Sequence, residues 1–98
     1  MIHTLLVSPE TEPAELKKEM RKKLMTGGAV IRLAPELSTQ ELELICEKFK
    51  PEAERFSLAA EVLVQAAKHS ALGETKRLEL RELNLPELSR ALDARDAQ

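Results

Sequence analysis

Aromatic side chains are nearly missing from this chain: two Phe, no Tyr and no Trp in 98 residues. Modules for single-stranded nucleic acid stack bases on aromatic rings, and RNA-recognition sheets do the same. Cages for quaternary ammonium groups need aromatic walls. None of these is built in the usual way from two Phe.

Cysteine is almost as scarce. Cys46 stands alone, so no intramolecular disulfide staples the fold. A lone cysteine fits a reducing compartment better than a secreted one, and a cytoplasmic location is expected. Long apolar runs are missing too. No segment approaches the roughly 20 apolar residues that span a bilayer, so no membrane role is expected. Residues 1–7 are apolar but short. They lack a basic stretch before them and a small-residue cleavage site after them, and so read as a strand. Nor is there an excess of one charge. Fifteen Lys and Arg face 17 Asp and Glu, a net charge of -2. A generic nucleic-acid binder carries a clear positive excess, so binding of that kind would need a local patch.

What is present suits a packed domain. Hydrophobic residues make up 43% and charged residues 33%, unlike the low hydrophobicity and high net charge of disordered chains. The length matches one domain, residues 1–98, with no repeat and no linker.

Residues 2–7 read as a strand. Pro13 suits a first helical position with Thr11 as a cap, and that helix runs to about Met25 on a stripe of Leu16, Met20 and Leu24. Gly27 and Gly28 end it. Residues 29–33 form a second, buried strand. Ser38-Thr39-Gln40-Glu41 is a capping box, stapled by Leu37 and Leu42, for a helix burying Leu42, Ile45, Cys46 and Phe49. Pro51 starts a new helix over residues 52–72, ended by Gly73. Its apolar positions spread over about 200° of arc, twice what one-sided packing needs. Residues 76–83 alternate at Leu78 and Leu80 and read as an edge strand. A short helix follows from Pro86 to about Asp93, and residues 94–98 are expected to fray. The fold class expected is α/β: a small two-layer domain of β-α-β-α-α-β-α order with a short, mostly parallel three-stranded sheet.

The chemistry-bearing residues read mostly as structural. Cys46 lies among apolar neighbours with no signature of a nucleophile around it. His3 and His69 do not sit at metal-ligand spacing. Gly27-Gly28 joins a helix to a strand, the reverse of a phosphate-binding loop. No carboxylate stands in an apolar setting that suits acid–base work, and Glu41, Glu43 and Glu47 read as a solvated helix side. No catalytic residue, metal, cofactor or small-molecule substrate is expected, and the chain reads as no enzyme.

The expected function is a non-enzymatic interaction or regulatory module that binds itself, as a homodimer, or another protein. It would act through the long Ala-rich helix and a sheet edge, with Leu58, Val62, Val64 and Leu80 as contact residues. The alternative is a nucleic-acid-associated regulator using Lys17, Lys18, Arg21, Lys22 and Lys23, with binding that falls steeply with salt. Leu58 is the apolar residue on the otherwise polar side of its helix. Leu58→Glu is therefore expected to disturb assembly or fold, measured by light scattering and circular dichroism; a variant that leaves both unchanged counts against Leu58.

Overall fold

The computed structural model describes residues 1–97. The elements are β1 (His3–Val7), α1 (Pro13–Leu24), β2 (Ala29–Leu33), α2 (Thr39–Phe49), a 3-10 turn (Lys50–Glu52), α3 (Ser57–Lys68), α4 (Glu74–Arg81) and α5 (Pro86–Asp96). The α/β class read from the sequence holds, but the sheet has two strands rather than three. β1 and β2 pair in parallel, from His3 opposite Ala29 to Val7 opposite Leu33. Parallel strands need a crossover between them, and α1 provides it.

Pro13 opens α1, as its fixed φ favours. Thr11 does not cap it. Glu12 stands at the cap position without a side-chain bond, while the Thr11 hydroxyl accepts from the Ser8 N–H at 2.9 Å. At the other end the Gly28 N–H donates to the Lys23 carbonyl at 3.1 Å. Gly27 has φ 133°, and a Cβ there would collide with the Met1 carbonyl. Glycine at this turn lets β1 and the end of α1 close on each other.

Helix α2 begins as its sequence dictates. The Ser38 Oγ accepts from the Glu41 N–H at 3.1 Å, and a Glu41 carboxylate oxygen accepts from the Ser38 N–H at 2.9 Å. Leu37 and Leu42 are both buried beside the cap. Pro51 falls in the 3-10 turn and not at the head of a long helix. The expected helix over residues 52–72 is shorter, because the backbone is extended at Phe56 (φ -149°) and again at His69 (ψ 133°). What remains, α3, packs against α5, α2 and β2. Ala59, Val62, Leu63, Ala66 and Ala67 have no exposed surface. The wide apolar arc is thus covered within the chain.

Residues 76–83 do not form a strand. They lie in α4 and the turn after it, because Lys76 and Leu80, one helical turn apart, are the side chains that point inward, while Leu78 stays exposed. The Lys76 ammonium reaches Glu47 of α2 and Glu79 of α4. Gly73 accordingly opens α4 rather than ending the helix before it. Helix α5 runs past the expected end at Asp93 to Asp96. Arg81 donates to Asp93 at 2.7 Å and to Asp96 at 2.5 Å, and Arg77 also pairs with Asp96, which ties the last turn to α4. Gln98 lies outside the described residues.

Ser38→Ala removes one half of the capping box and is expected to cost about 1 kcal/mol, read as a lower midpoint in urea denaturation with an unchanged slope.

Candidate functional site

The sheet is covered on one face. Leu5, Val7, Ile31 and Leu33 point into the core, where α1 and α3 pack on the strands. Thr4, Leu6, Val30 and Arg32 point the other way and are exposed. Parallel sheets are normally buried on both faces, so this bare face departs from the rule. Leu6 is 59% exposed and Val30 42%. Eight large hydrophobic side chains are exposed among the described residues. Two of them, Leu6 and Val30, lie on this face of the sheet, while Met1 and Ile2 precede β1 and Leu24 and Met25 stand at the end of α1, before the turn that enters β2. Thr26 of that turn holds His3, its Oγ1 lying 3.1 Å from the His3 Nε2.

The two edges of the sheet differ. The His3 N–H donates to the Gly28 carbonyl and the Ala34 N–H to the Val7 carbonyl. Given parallel alternation, His3, Leu5 and Val7 bond to β2, and Thr4 and Leu6 turn their main-chain groups outward. On the β2 side Ala29, Ile31 and Leu33 face outward, and the Gln65 side-chain amide of α3 donates to the Ile31 carbonyl at 2.5 Å. Gln65 stands where the next strand would be. No side chain among the described residues does the same for Thr4 or Leu6. Beside them runs a groove of about 420 Å³ with Leu5, Leu6 and Leu16 as apolar floor and Glu10, Glu12, Glu15 and Glu19 along its rim.

Three of the four contact residues expected from sequence are withdrawn. Val62 and Leu80 have no exposed surface and Val64 is 7% exposed, because α3 and α4 turn them into the core. Leu58 is half-buried and lines the groove along the β2 edge with Met20, Ile31 and Gln65. Leu6 and Val30 are passed over by sequence patterning, because a short apolar run reads as a strand buried on both faces. The signal that finds them is the pairing of two such runs with helices enough for one face alone.

Lys17, Lys18, Arg21 and Lys22 are exposed on α1, whereas Lys23 is half-buried. The Lys17 ammonium sits 4.9 Å from the centre of the Phe56 ring, a cation–π contact, and Lys22 lies 3.7 Å from Glu19. The run is therefore partly engaged by its own chain.

Cys46 is fully buried, and burial pushes its thiol up to about 12, with the Lys76 ammonium offsetting only part of that. A thiol so held is not a nucleophile near neutral pH. The His69 Nδ1 accepts from the Ala71 N–H at 3.1 Å, which fixes the turn between α3 and α4. No group of three or more His, Cys, Asp or Glu side chains among the described residues is placed to hold a metal ion, and no helix there is long and apolar enough to cross a membrane.

No family model matches the chain, and no curated protein or solved structure does.

Lys76, 8% exposed, holds α4 to α2. Burial works against its charge, but the hydrogen bonds to Glu47 and Glu79 outweigh that and hold its pKa above the ordinary lysine value. The same hydrogen bond from Lys76 holds Glu79 below its ordinary 4.5. A raised Lys contributes stability below its ordinary 10.5 and loses it above its folded value. A lowered Glu contributes above 4.5 and loses it as pH falls through its folded value. Lys76→Met is expected to cost about 1 kcal/mol near neutral pH, since the carboxylates it leaves are solvated. The gap to the native chain should shrink below pH 4.5, checked by urea denaturation at neutral and acid pH.

Proposed function

We propose that this chain is a protein-binding module whose working surface is the bare face and free β1 edge of its two-stranded sheet. The observation that carries this reading is that Leu6 and Val30 stand exposed on the uncovered face of the sheet. Contiguous exposed apolar surface on a small domain marks an interaction site. It lies beside a strand edge that the chain leaves unpaired, which is a template for another strand.

The occupant is a different protein rather than a second copy. Two copies joined edge to edge through β1 would lay their glutamate rows, Glu10 to Glu19, against each other, and like charges so opposed are unfavourable. The module has no catalytic step of its own; binding is its activity. A second reading rests on the exposed cations Lys17, Lys18, Arg21 and Lys22 of α1, which would contact nucleic-acid phosphates. Their partial engagement by Phe56 and Glu19 makes it the weaker reading.

The test is recovery of partners by the tagged chain from its native lysate with nuclease present. Native protein is compared with Leu6→Thr/Val30→Thr, which keeps strand propensity while removing apolar surface. Fully covering a Leu or Val contributes about 1.5–3 kcal/mol, so the double variant is expected to lose a stoichiometric protein partner by more than about tenfold in affinity. A partner retained in full by the double variant, or recovery of nucleic acid alone before nuclease, overturns the reading.

A further inference from the structure

We infer that the β1 edge takes up an extended segment of the partner in which basic and apolar residues alternate, adding it to the sheet as a third strand. This inference rests on the module reading above and names the chemistry of its partner.

The edge offers two outward N–H groups and two outward C=O groups, those of Thr4 and Leu6. The edge ends at Ser8, whose N–H is held by the Thr11 hydroxyl at 2.9 Å. An added strand would therefore run about five residues, or roughly 17 Å. On the opposite edge the Gln65 amide already occupies the Ile31 carbonyl, whereas no side chain among the described residues bonds the outward groups of β1.

Side chains of an added strand alternate between the two faces of the sheet. Those on the helix side drop into the groove beside α1. Its floor of Leu5 and Leu16 suits an aliphatic stem, and its rim carries Glu10, Glu12, Glu15 and Glu19. Lys and Arg satisfy both demands, packing the stem on apolar surface and placing the charged head among carboxylates. Two of the rim glutamates have cations already: Glu12 with Lys48 at 3.0 Å, and Glu19 with Lys22 at 3.7 Å in an exposed pair. Glu10 and Glu15 pair with no cation among the described residues, Glu10 accepting only from the Ser8 hydroxyl at 3.0 Å. They are the recognition charges. The other side chains of the added strand lie on the bare face beside Thr4 and Leu6, where β-branched residues extend the apolar surface of Leu6 and Val30.

The Lys48 ammonium also holds the loop that carries this rim, donating to the Pro9 carbonyl at 2.5 Å as well as to Glu12. The groove is thus fixed before any partner arrives, which lowers the ordering cost of binding.

The probe is an end-capped peptide of alternating Lys and Val, about seven residues long. Its controls are an alternating Glu and Val peptide and two Lys–Val peptides N-methylated in each of the two registers. Binding is read by calorimetry, and hydrogen exchange at Thr4 and Leu6 by NMR. The Lys–Val peptide is expected to bind and to slow exchange of both amides. Its affinity should fall about tenfold between ~0.05 and ~0.5 M salt, and by a similar factor for Glu10→Gln/Glu15→Gln, two exposed positions whose change leaves the fold intact by circular dichroism. N-methylation in the bonding register should abolish binding and in the other register should not. Equal binding of the acidic peptide, unchanged exchange at Thr4 and Leu6, or no peptide binding overturns the inference. So does aggregation of the glutamine variant with native peptide affinity, which would make the glutamates guards of the edge alone. If any of these results accompanies loss of the lysate partner by Leu6→Thr/Val30→Thr, the basic strand falls and the module reading stands. A partner that survives that double variant removes the module reading itself.

Discussion

Helix α3 is packed at once by α2, by α5 and by β2, and its small side chains make that possible. Ala59, Ala66 and Ala67 are fully buried and let neighbours approach, while Val62 and Leu63 fill the space between them. Only Ser57, Glu61 and Lys68 of this helix are exposed, so most of its apolar surface is used inside the chain. It also sets where the other helices go. Helices α2 and α5 pack on α3, and α4 joins them through Lys76 and the Arg77–Arg81 pairs. What remains for the sheet is α1 and one side of α3, both on the same face. The bare face follows from how the chain assigns its apolar area.

The unequal edges have the same origin. Because α3 lies against β2, Gln65 comes within reach of the Ile31 carbonyl and occupies it. The β1 edge has only α1 and the loop before it for neighbours. Their contribution there is glutamate, and it leaves the outward groups of Thr4 and Leu6 without a side-chain partner among the described residues. Inward-facing charge beside an edge is how monomeric sheets resist self-pairing. It also sets the charge that any welcome strand must carry.

The parts of the fold legible in the sequence are those decided by neighbours along the chain. The Ser38–Glu41 cap and Pro13 at the head of α1 each depend on a few adjacent residues, and each stands as the sequence dictates. The parts that were not legible depend on contacts far along the chain. The apolar arc of α3 shows that two sides are buried, but not that α2, α5 and β2 bury them. Residues 76–83 alternate like a strand only if Lys76 counts as an outward charge. In the fold its stem is core and its ammonium is met by Glu47, 29 residues away, so the inward pair is Lys76 and Leu80 with helical spacing. The bare face was hidden for a related reason: Leu6 and Val30 look like core residues until one counts what is left to cover them.

Helix α1 shows why the net charge of -2 says little about partners here. Its residues sort by angle around the axis. Glu15 and Glu19 fall on the flank beside β1, and Lys17 falls on the opposite flank, over Phe56. Lys18, Arg21 and Lys22 occupy the solvent crest between them. One helix therefore turns carboxylates toward the open strand edge and ammonium and guanidinium groups away from it, and the net charge of the chain records neither. A polyanion would be drawn to the crest and would meet no apolar surface there. A basic strand would be drawn to the flank, where the field leads directly to unpaired main-chain groups and to Leu6. The same helix that covers the inner face of the sheet with Leu16 and Met20 thus also sets, with Glu15 and Glu19, the sign of charge that can complete its edge.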